Sequence, residues 1–446
     1  MQTAKSLQSR LIVMLMTFLD KRAVWGMLMA YGIPFFRTKR MKYTKNLFWG
    51  VILGLCLSLS VSAAQPALKK TTPPPGFERD ETWQTQSQID PLEVFEVANL
   101  PDPRPFTPPR HYLCLQSAGG IAIDGHLNDP DWKKTLWSET FIDIRAPYGS
   151  SQPLPMTKFK MLWDENYLYI AAIVSDYNIR AKNLWRDNPE AVDFDLEIYI
   201  DSNADNHRYL VLKINATNSL QSFIYNRPPK DGGTAQNFPI AGLEHAVFVD
   251  GTINKPGDRD KSWQVEMAIP LAAPAILGDV SKDPANGDTW RINFARVEWR
   301  GPFVLSTDRG NYKPDQLKTM EKLIRGCWSP QGVINMHRPE TWGYVQFYRQ
   351  PAGFPADFQP DPTEWARHAL HKVLYAQKWH YTNTGAYADS PDLLGLDKTP
   401  PMFATDPIEI KTGPETFNAS VQLRMPDMSM RTISIDQQAK ITITPK

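Results

Sequence analysis

A succession of segments between positions 156 and 347 alternates apolar and polar residues with a period of two, and nothing else narrows the fold as much. The segments are Met156–Trp163, Tyr167–Val174, Leu196–Ile200, Tyr209–Ile214, Ala246–Val249, Trp263–Ile269, Trp290–Trp299 and Gly343–Phe347. Neighbouring side chains of a strand point to opposite faces, so each segment builds one face for a core and one for solvent or a ligand. Turn-forming residues such as Asp164–Asn166 and Asp250–Gly251 separate them. Only Asp129-Pro130-Asp131-Trp132 reads as a helix start, with Asp as cap and Pro in the first turn. Many strands without intervening helical periods predict a mainly β protein, an antiparallel β-sandwich spanning 111–348.

The flanks read differently. Residues 349–446 open with a Pro-rich joint (351–362), followed by Trp365, Ala369, Val373 and Ala376 at helical spacing through His380. Strand-like runs come next at Ile408–Ile410, Ala419–Leu423, Thr432–Ile435 and Ile441–Ile443, predicting a small C-terminal α+β unit. Residues 65–110 are rich in Pro, Thr and acids and read as a linker. In 1–64, Lys42 and Lys45 precede an apolar run from Leu47 to Val61 and the small residues Ser62, Ala63 and Ala64. That pattern predicts a signal peptide starting at Met41 and a secreted or periplasmic protein.

Export would leave Cys114 and Cys327 in an oxidising compartment, where they either bridge or remain as two buried thiols. The net charge of +1, with no basic stripe, gives no footprint for nucleic acid.

The run from Asp195 to Asp205, DLEIYIDSNAD, carries most of the functional signal. As a strand it sets Leu196, Ile198 and Ile200 on one face and Asp195, Glu197, Tyr199 and Asp201 on the other. The polar face suits a sugar. Asp201, Asn203 and Asp205 then place oxygen donors at alternating positions, a spacing that predicts a calcium seat, although the glycine and terminal Glu of an EF-hand are missing. The histidines show neither HxH nor HExxH spacing, so no transition-metal site is expected, and no nucleotide cofactor is indicated. Arg296 and Glu298 share a face with Phe294, placed either to hold a ligand or to form a structural ion-pair network.

The middle of the chain resembles the family 9 carbohydrate-binding modules. The matching pieces, in family order, are IAIDGHLNDPDW (121–132), KMLWDENYLYIAA (160–172), DLEIYIDSNADNHRYLVLKINA (195–216), SWQVEMAIP (262–270), WRINFARVEW (290–299) and WSPQGVINMHRPETWGYVQF (328–347). The resemblance implies a calcium-supported β-sandwich that binds sugar without catalysis. In ligand-binding members two tryptophans clamp a sugar ring and an acidic strand residue bonds its hydroxyls. The corresponding positions are Trp185, Trp328 and Glu197, with Arg296 as a further ligand contact, although LWRDNPEAVDFD lengthens the spacing between Trp185 and Glu197. The family's link to xylan and polysaccharide catabolism comes from attached enzymes, and no catalytic domain is visible in this chain.

Three other readings compete. A glycoside hydrolase-associated activity would need two carboxylates across a cleft, with Asp195, Glu197 and Glu298 as candidates. A haem-binding electron-transfer sandwich would use Met336 and His337, but no CxxCH attachment site exists, so haem is not expected. A docking module would recruit extracellular or periplasmic proteins through its C-terminal unit.

Overall fold

The computed structural model describes residues 108–147, 154–181, 194–255, 257–300, 322–396 and 399–445. The expected export segment and Trp185 lie outside the described residues.

The first half of the described chain forms β1 (His111–Gln116), α1 (Pro130–Lys134), β2 (Ile142–Asp143), β3 (Thr157–Trp163), β4 (Tyr167–Ser175) and β5 (Asp195–Asp201). It continues with β6 (Tyr209–Asn215), β7 (Leu220–Tyr225), β8 (Ala235–Asn237), β9 (Glu244–Asp250), β10 (Ser262–Pro270) and α2 (Ala272–Gly278). Then come β11 (Thr289–Arg300), β12 (Lys322–Cys327) and β13 (Gly343–Pro351). After the Pro-rich joint follow α3 (Glu364–Thr384), β14 (Glu409–Thr412), β15 (Phe417–Arg424), β16 (Met430–Asp436) and β17 (Ile441–Pro445).

Strands β1 to β13 belong to one hydrogen-bonded path, β8-β7-β6-β5-β11-β13-β1-β3-β4-β10-β9, with β12 and β2 branching from β11. The path doubles back on itself. Leu196, Ile198, Leu210 and Leu212 from one end share a buried cluster with Met161, Ile170, Val265 and Met267 from the other. Two layers therefore face each other across the alternating apolar residues, making a mainly β sandwich. Each large side chain removed from water there contributes roughly 1.5–3 kcal/mol before entropy is counted. The pairing is antiparallel except at β1, which runs parallel to both β13 and β3.

Strand β11 joins the layers' partners. Its first residues pair with β13 (Thr289 opposite Gln346), its last with β12 (Ala295 opposite Cys327), and its other edge with β5 throughout Arg291–Arg296.

The segment leading into α1 is fixed from behind. Glu266 on β10 accepts hydrogen bonds from the amides of Asp124 (3.0 Å) and Gly125 (2.8 Å) and from the Trp132 indole (2.9 Å). Gly125 has a φ of 88°, and a Cβ there would lie 2.8 Å from the backbone nitrogen of Phe248, so only glycine fits. Trp132 is fully buried against Leu162 and Ala171, on the side of β3 and β4 away from the interior.

The C-terminal unit packs α3 on the antiparallel sheet β14-β15-β16-β17. Ala366, Leu370, Val373 and Leu374 meet Ala419, Val421, Ile433 and Ile435. Of the stripe its spacing predicted, Val373 and Ala376 are buried in this core, whereas Trp365 is 40% exposed and Ala369 half-buried; Leu370 and Leu374 complete the buried face. The helix ends where Gly385 turns left-handed (φ 77°) and donates its amide to Tyr381.

This unit is fastened to the turn that follows β5. The Asp205 carbonyl accepts from the Ile441 amide (3.1 Å), Asn206 Nδ2 donates to the Ala439 carbonyl (2.8 Å), and Arg367 donates to the Ala204 carbonyl. Farther along α3, Arg338 donates to the Tyr375 hydroxyl at 2.8 Å and Lys378 pairs with Asp231.

Candidate functional site

Alternation in β5 sends Leu196, Ile198 and Ile200 into the interior, so Glu197 and Tyr199 must emerge on the opposite face. The register of β6 sets Lys213 directly opposite Glu197, and Lys213 Nζ lies 3.2 Å from Glu197 Oε1. The Tyr199 hydroxyl donates to Glu197 Oε2 at 2.7 Å. Around this pair stand Tyr209, Tyr225, His337 and Trp342. The Tyr209 and Tyr225 rings stack 5.3 Å apart, His337 leans on Tyr225 at 4.3 Å, and its Nδ1 lies 2.8 Å from the Tyr209 hydroxyl. Trp342 packs edge-on against Tyr209 at 5.1 Å.

Glu197 is only 3% exposed, so the pair forms the floor of this face, while Arg325 on β12 stays half-buried above it. Burial pushes the Glu197 carboxyl up, but Lys213 and Arg325 outweigh that and hold it below its ordinary value. Lys213 moves the other way: burial lowers it, Glu197 and Asp195 raise it further, and the ammonium persists. Burial drives His337 down to about 3, leaving a neutral ring. The face thus holds a fixed carboxylate acceptor, fixed cations and neutral aromatic rings, of which Glu197, Lys213, Tyr199, Tyr209, Tyr225 and Trp342 are buried and His337 and Arg325 half-buried. Such a set matches hydroxyl edges and C–H faces. An acid held ionised cannot serve as a proton donor at neutral pH.

The sequence-derived candidates fall in separate places. Glu197 lies on the polar face as expected. Trp328 does not: it is fully buried in the interior, edge-on to Phe159 at 5.0 Å, with its indole donating to Glu139 at 2.9 Å. It fills the space where Gly343 lacks a Cβ. Arg296 points inward with Phe294, as its strand parity requires. Its guanidinium donates to the Ser175 carbonyl at 2.7 Å and pairs with Asp176 (3.3 Å) and Glu298 (3.7 Å), the structural network rather than a ligand contact.

The Cys114–Cys327 bridge is not formed. Both thiols are free and buried, Cys114 in the interior cluster and Cys327 in the outer cluster with Tyr209 and Trp342. First and last strands do pair, but the partner of β1 is β13, whereas Cys327 closes β12.

Asp201, Asn203 and Asp205 do sit together in the turn after β5. Asn203 Oδ1 accepts from the Asp205 amide (3.2 Å) and Asp205 Oδ1 from the His207 amide (2.8 Å), so these donors brace the turn itself. Asp201 Oδ2 accepts from the Asn206 amide (2.8 Å), while its Oδ1 is buried with no partner. Burial first, and Asp205 second, push the Asp201 carboxyl up to about 7; Arg367 and Arg291 are the nearby cations. Among the described residues no group of three or more His, Cys, Asp or Glu converges on a common point. A six- to eight-oxygen calcium shell would need further ligands beyond these three side chains.

Sequence reasoning did not reach Lys213, Arg325, Tyr209, Tyr225 and Trp342. Their contribution depends on register across β5, β6, β7 and β12, which alternation within one strand does not specify. Met336 and His337 are adjacent in sequence, yet Met336 is buried in the outer cluster while His337 is held by Tyr209.

No curated protein matches the chain. Two solved structures cover 56% of it and the whole of their own chains. One is a carbohydrate-binding module family 9 domain from Caldicellulosiruptor kristjanssonii in complex with cellotriose, at 18% identity and a TM-score of 0.32. The other is a module of that family from the same organism in complex with glucose, at 19% identity and a TM-score of 0.32. Residues 123–294, from the loop closed by Glu266 to the middle of β11, match the family described as Carbohydrate family 9 binding domain-like. Over those residues the sandwich is thus similar to the carbohydrate family 9 binding domain-like family.

Proposed function

We propose that the chain is an exported, non-catalytic carbohydrate-binding protein acting in polysaccharide use, with the outer face of β5, β6, β7 and β12 as its binding surface. The observation that carries this reading is the Glu197–Lys213 pair, fixed by register on a tyrosine-lined face inside the family-matched domain. A sugar is neutral, hydroxyl-rich and apolar on its ring faces; the ionised carboxylate, the two cations and the aromatic rings complement each of these properties. Export is supported by the charged start, apolar run and small residues between Met41 and Ala64.

The test is a glycan array on the full chain, covering β-linked gluco- and xylo-oligosaccharides, followed by calorimetry on any ligand found. Glu197→Gln keeps the shape and removes the charge, and it should weaken binding by about tenfold or more. A folded protein that binds no glycan, or binds equally well as Glu197→Gln, would refute the assignment. The mass of the mature protein from its native host tests export: a start at or near Gln65 is expected, and retention of residues before Met41 counts against it.

A further inference from the structure

A concave site lies away from the Glu197 face, where the first turns of α3 meet the sandwich. It is a cleft of about 290 Å³ walled by Arg110, Arg291, Ser329, Arg338, Arg367 and Lys372, among others. That volume is at the lower end of the range for small-molecule sites, about 300–1,000 Å³.

Its electrostatics are lopsided. Glu364 and Glu340 are the carboxylates in the wall, and both are engaged. Glu364 pairs with Arg291, lies 3.7 Å from Arg367 and accepts the Tyr344 hydroxyl at 2.9 Å. Glu340 pairs with Arg338 at 3.0 Å and lies 3.8 Å from Lys230, outside the wall. Arg110 and Lys372 have no carboxylate partner among the described residues. The Arg110 Nη1 donates only to the Thr140 carbonyl at 3.0 Å, and Lys372 makes no ion pair there. Both are half-buried. Cations gathered in a walled cleft repel one another more strongly than in open water, and an anion placed between them relieves that repulsion.

We propose that this cleft binds a small oxyanion, a carboxylate or phosphate carried by a sugar-sized molecule, with Arg110 and Lys372 as its principal charge partners. The site shares no residue with the Glu197 face, so it stands or falls separately from the binding function proposed above. Guanidinium and ammonium groups suit such a ligand, the first through its planar fork and the second as a point charge.

Calorimetry and thermal-shift measurements on the full chain would use glucuronate, glucose 6-phosphate and inorganic phosphate, with glucose as the neutral control. Lys372→Met and Arg110→Gln should each weaken oxyanion binding about tenfold or more, and Glu197→Gln should leave it unchanged. Raising the salt should weaken it further. Glucuronate binding alone identifies a carboxylate site. Binding of inorganic phosphate and glucose 6-phosphate identifies a phosphate site, and binding of all three a general oxyanion site. No binding by any of them to the folded protein overturns the proposal, as does equal affinity in the variants or an effect matched by glucose. Among the described residues neither Arg110 nor Lys372 has a carboxylate partner to orphan, and thermal unfolding of each variant confirms that it folds.

Discussion

Asn206 donates a hydrogen bond from Nδ2 to Nε2 of His371 at 3.0 Å, joining the turn after β5 to the first turns of α3. The other ring nitrogen, Nδ1, lies 2.8 Å from the Arg367 carbonyl. A carbonyl accepts only, so Nδ1 carries the proton and Nε2 must be the bare acceptor. The neutral ring is thus specified by geometry. Protonating it would set two donors against each other inside the junction that holds the C-terminal unit.

Stability should therefore fall in acid. Burial pushes His371 down to about 4; Glu340 acts against this, and Lys230 and Arg367 act with it. Because the folded value lies below the unfolded one of about 6.5, the unfolded chain takes up the proton first as pH drops. The contribution is intact above about pH 6.5 and is lost progressively towards pH 4, on the order of 3 kcal/mol in all. His337 acts in the same sense, so the difference between wild type and His371→Gln isolates this ring. Urea unfolding from pH 7.5 to 4 should show a shallower acid loss in the variant. Parallel curves would mean that His371 does not couple protons to folding.

The Glu197–Lys213 pair should behave as a buried unit. Lys213→Met leaves a carboxylate under the Tyr199 hydroxyl without its nearest cation, which costs about 3–5 kcal/mol when a buried pair is broken. Adding Glu197→Gln to that variant removes the stranded charge and should recover most of the loss. A double-mutant cycle by chemical denaturation measures this, and strictly additive losses would show that the two side chains are independent.

How far the sequence was legible follows from the range of each signal. Alternation is local, and it grouped Leu196, Ile198 and Ile200 of β5 on one face, the one the interior buries. It also set Arg296 on one face with Phe294, and there the choice between ligand contact and ion-pair network depended on Ser175 and Asp176, both distant in sequence. Trp328 was misplaced because a tryptophan ahead of a strand looks the same whether it clamps a sugar or fills the space over Gly343. The Asp201–Asp205 turn has the composition of a calcium loop. What its atoms do in the fold, bracing the turn and receiving the C-terminal unit, is a tertiary relation with residues 367, 371, 439 and 441. Helical spacing found α3 and put Val373 and Ala376 on its buried face, but it added the exposed Trp365 and missed Leu370 and Leu374.

Cys114 and Cys327 should be chemically silent in the native protein and reactive once it unfolds. Burial pushes both thiols well above their ordinary values, so little thiolate exists at neutral pH. Alkylation followed by peptide mass mapping, without reductant, should leave both unmodified in buffer and label both in guanidinium. A disulfide-linked peptide pair would contradict their location in separate clusters.

The turn after β5 yields the last prediction. If Asp201, Asn203 and Asp205 serve the turn and the junction, then a chelator should leave the midpoint of thermal unfolding unchanged, and added calcium should not raise it. Asp201 itself should be a liability at high pH. Its folded-state value, raised to about 7 by burial and Asp205, lies above the unfolded one near 3.8, so the folded state holds a proton that the unfolded chain releases. Stability conferred by the protonated form is full below about pH 3.8 and declines as pH rises through about 7. Asp201→Asn keeps an oxygen to accept the Asn206 amide and carries no charge. It should be nearly neutral at pH 4 and stabilising by about 1–3 kcal/mol at pH 8, read from urea unfolding at the two values. If the variant instead destabilises at pH 8, and a chelator lowers the unfolding midpoint of the wild type alone, the carboxylate is holding a cation and the turn is a metal seat after all.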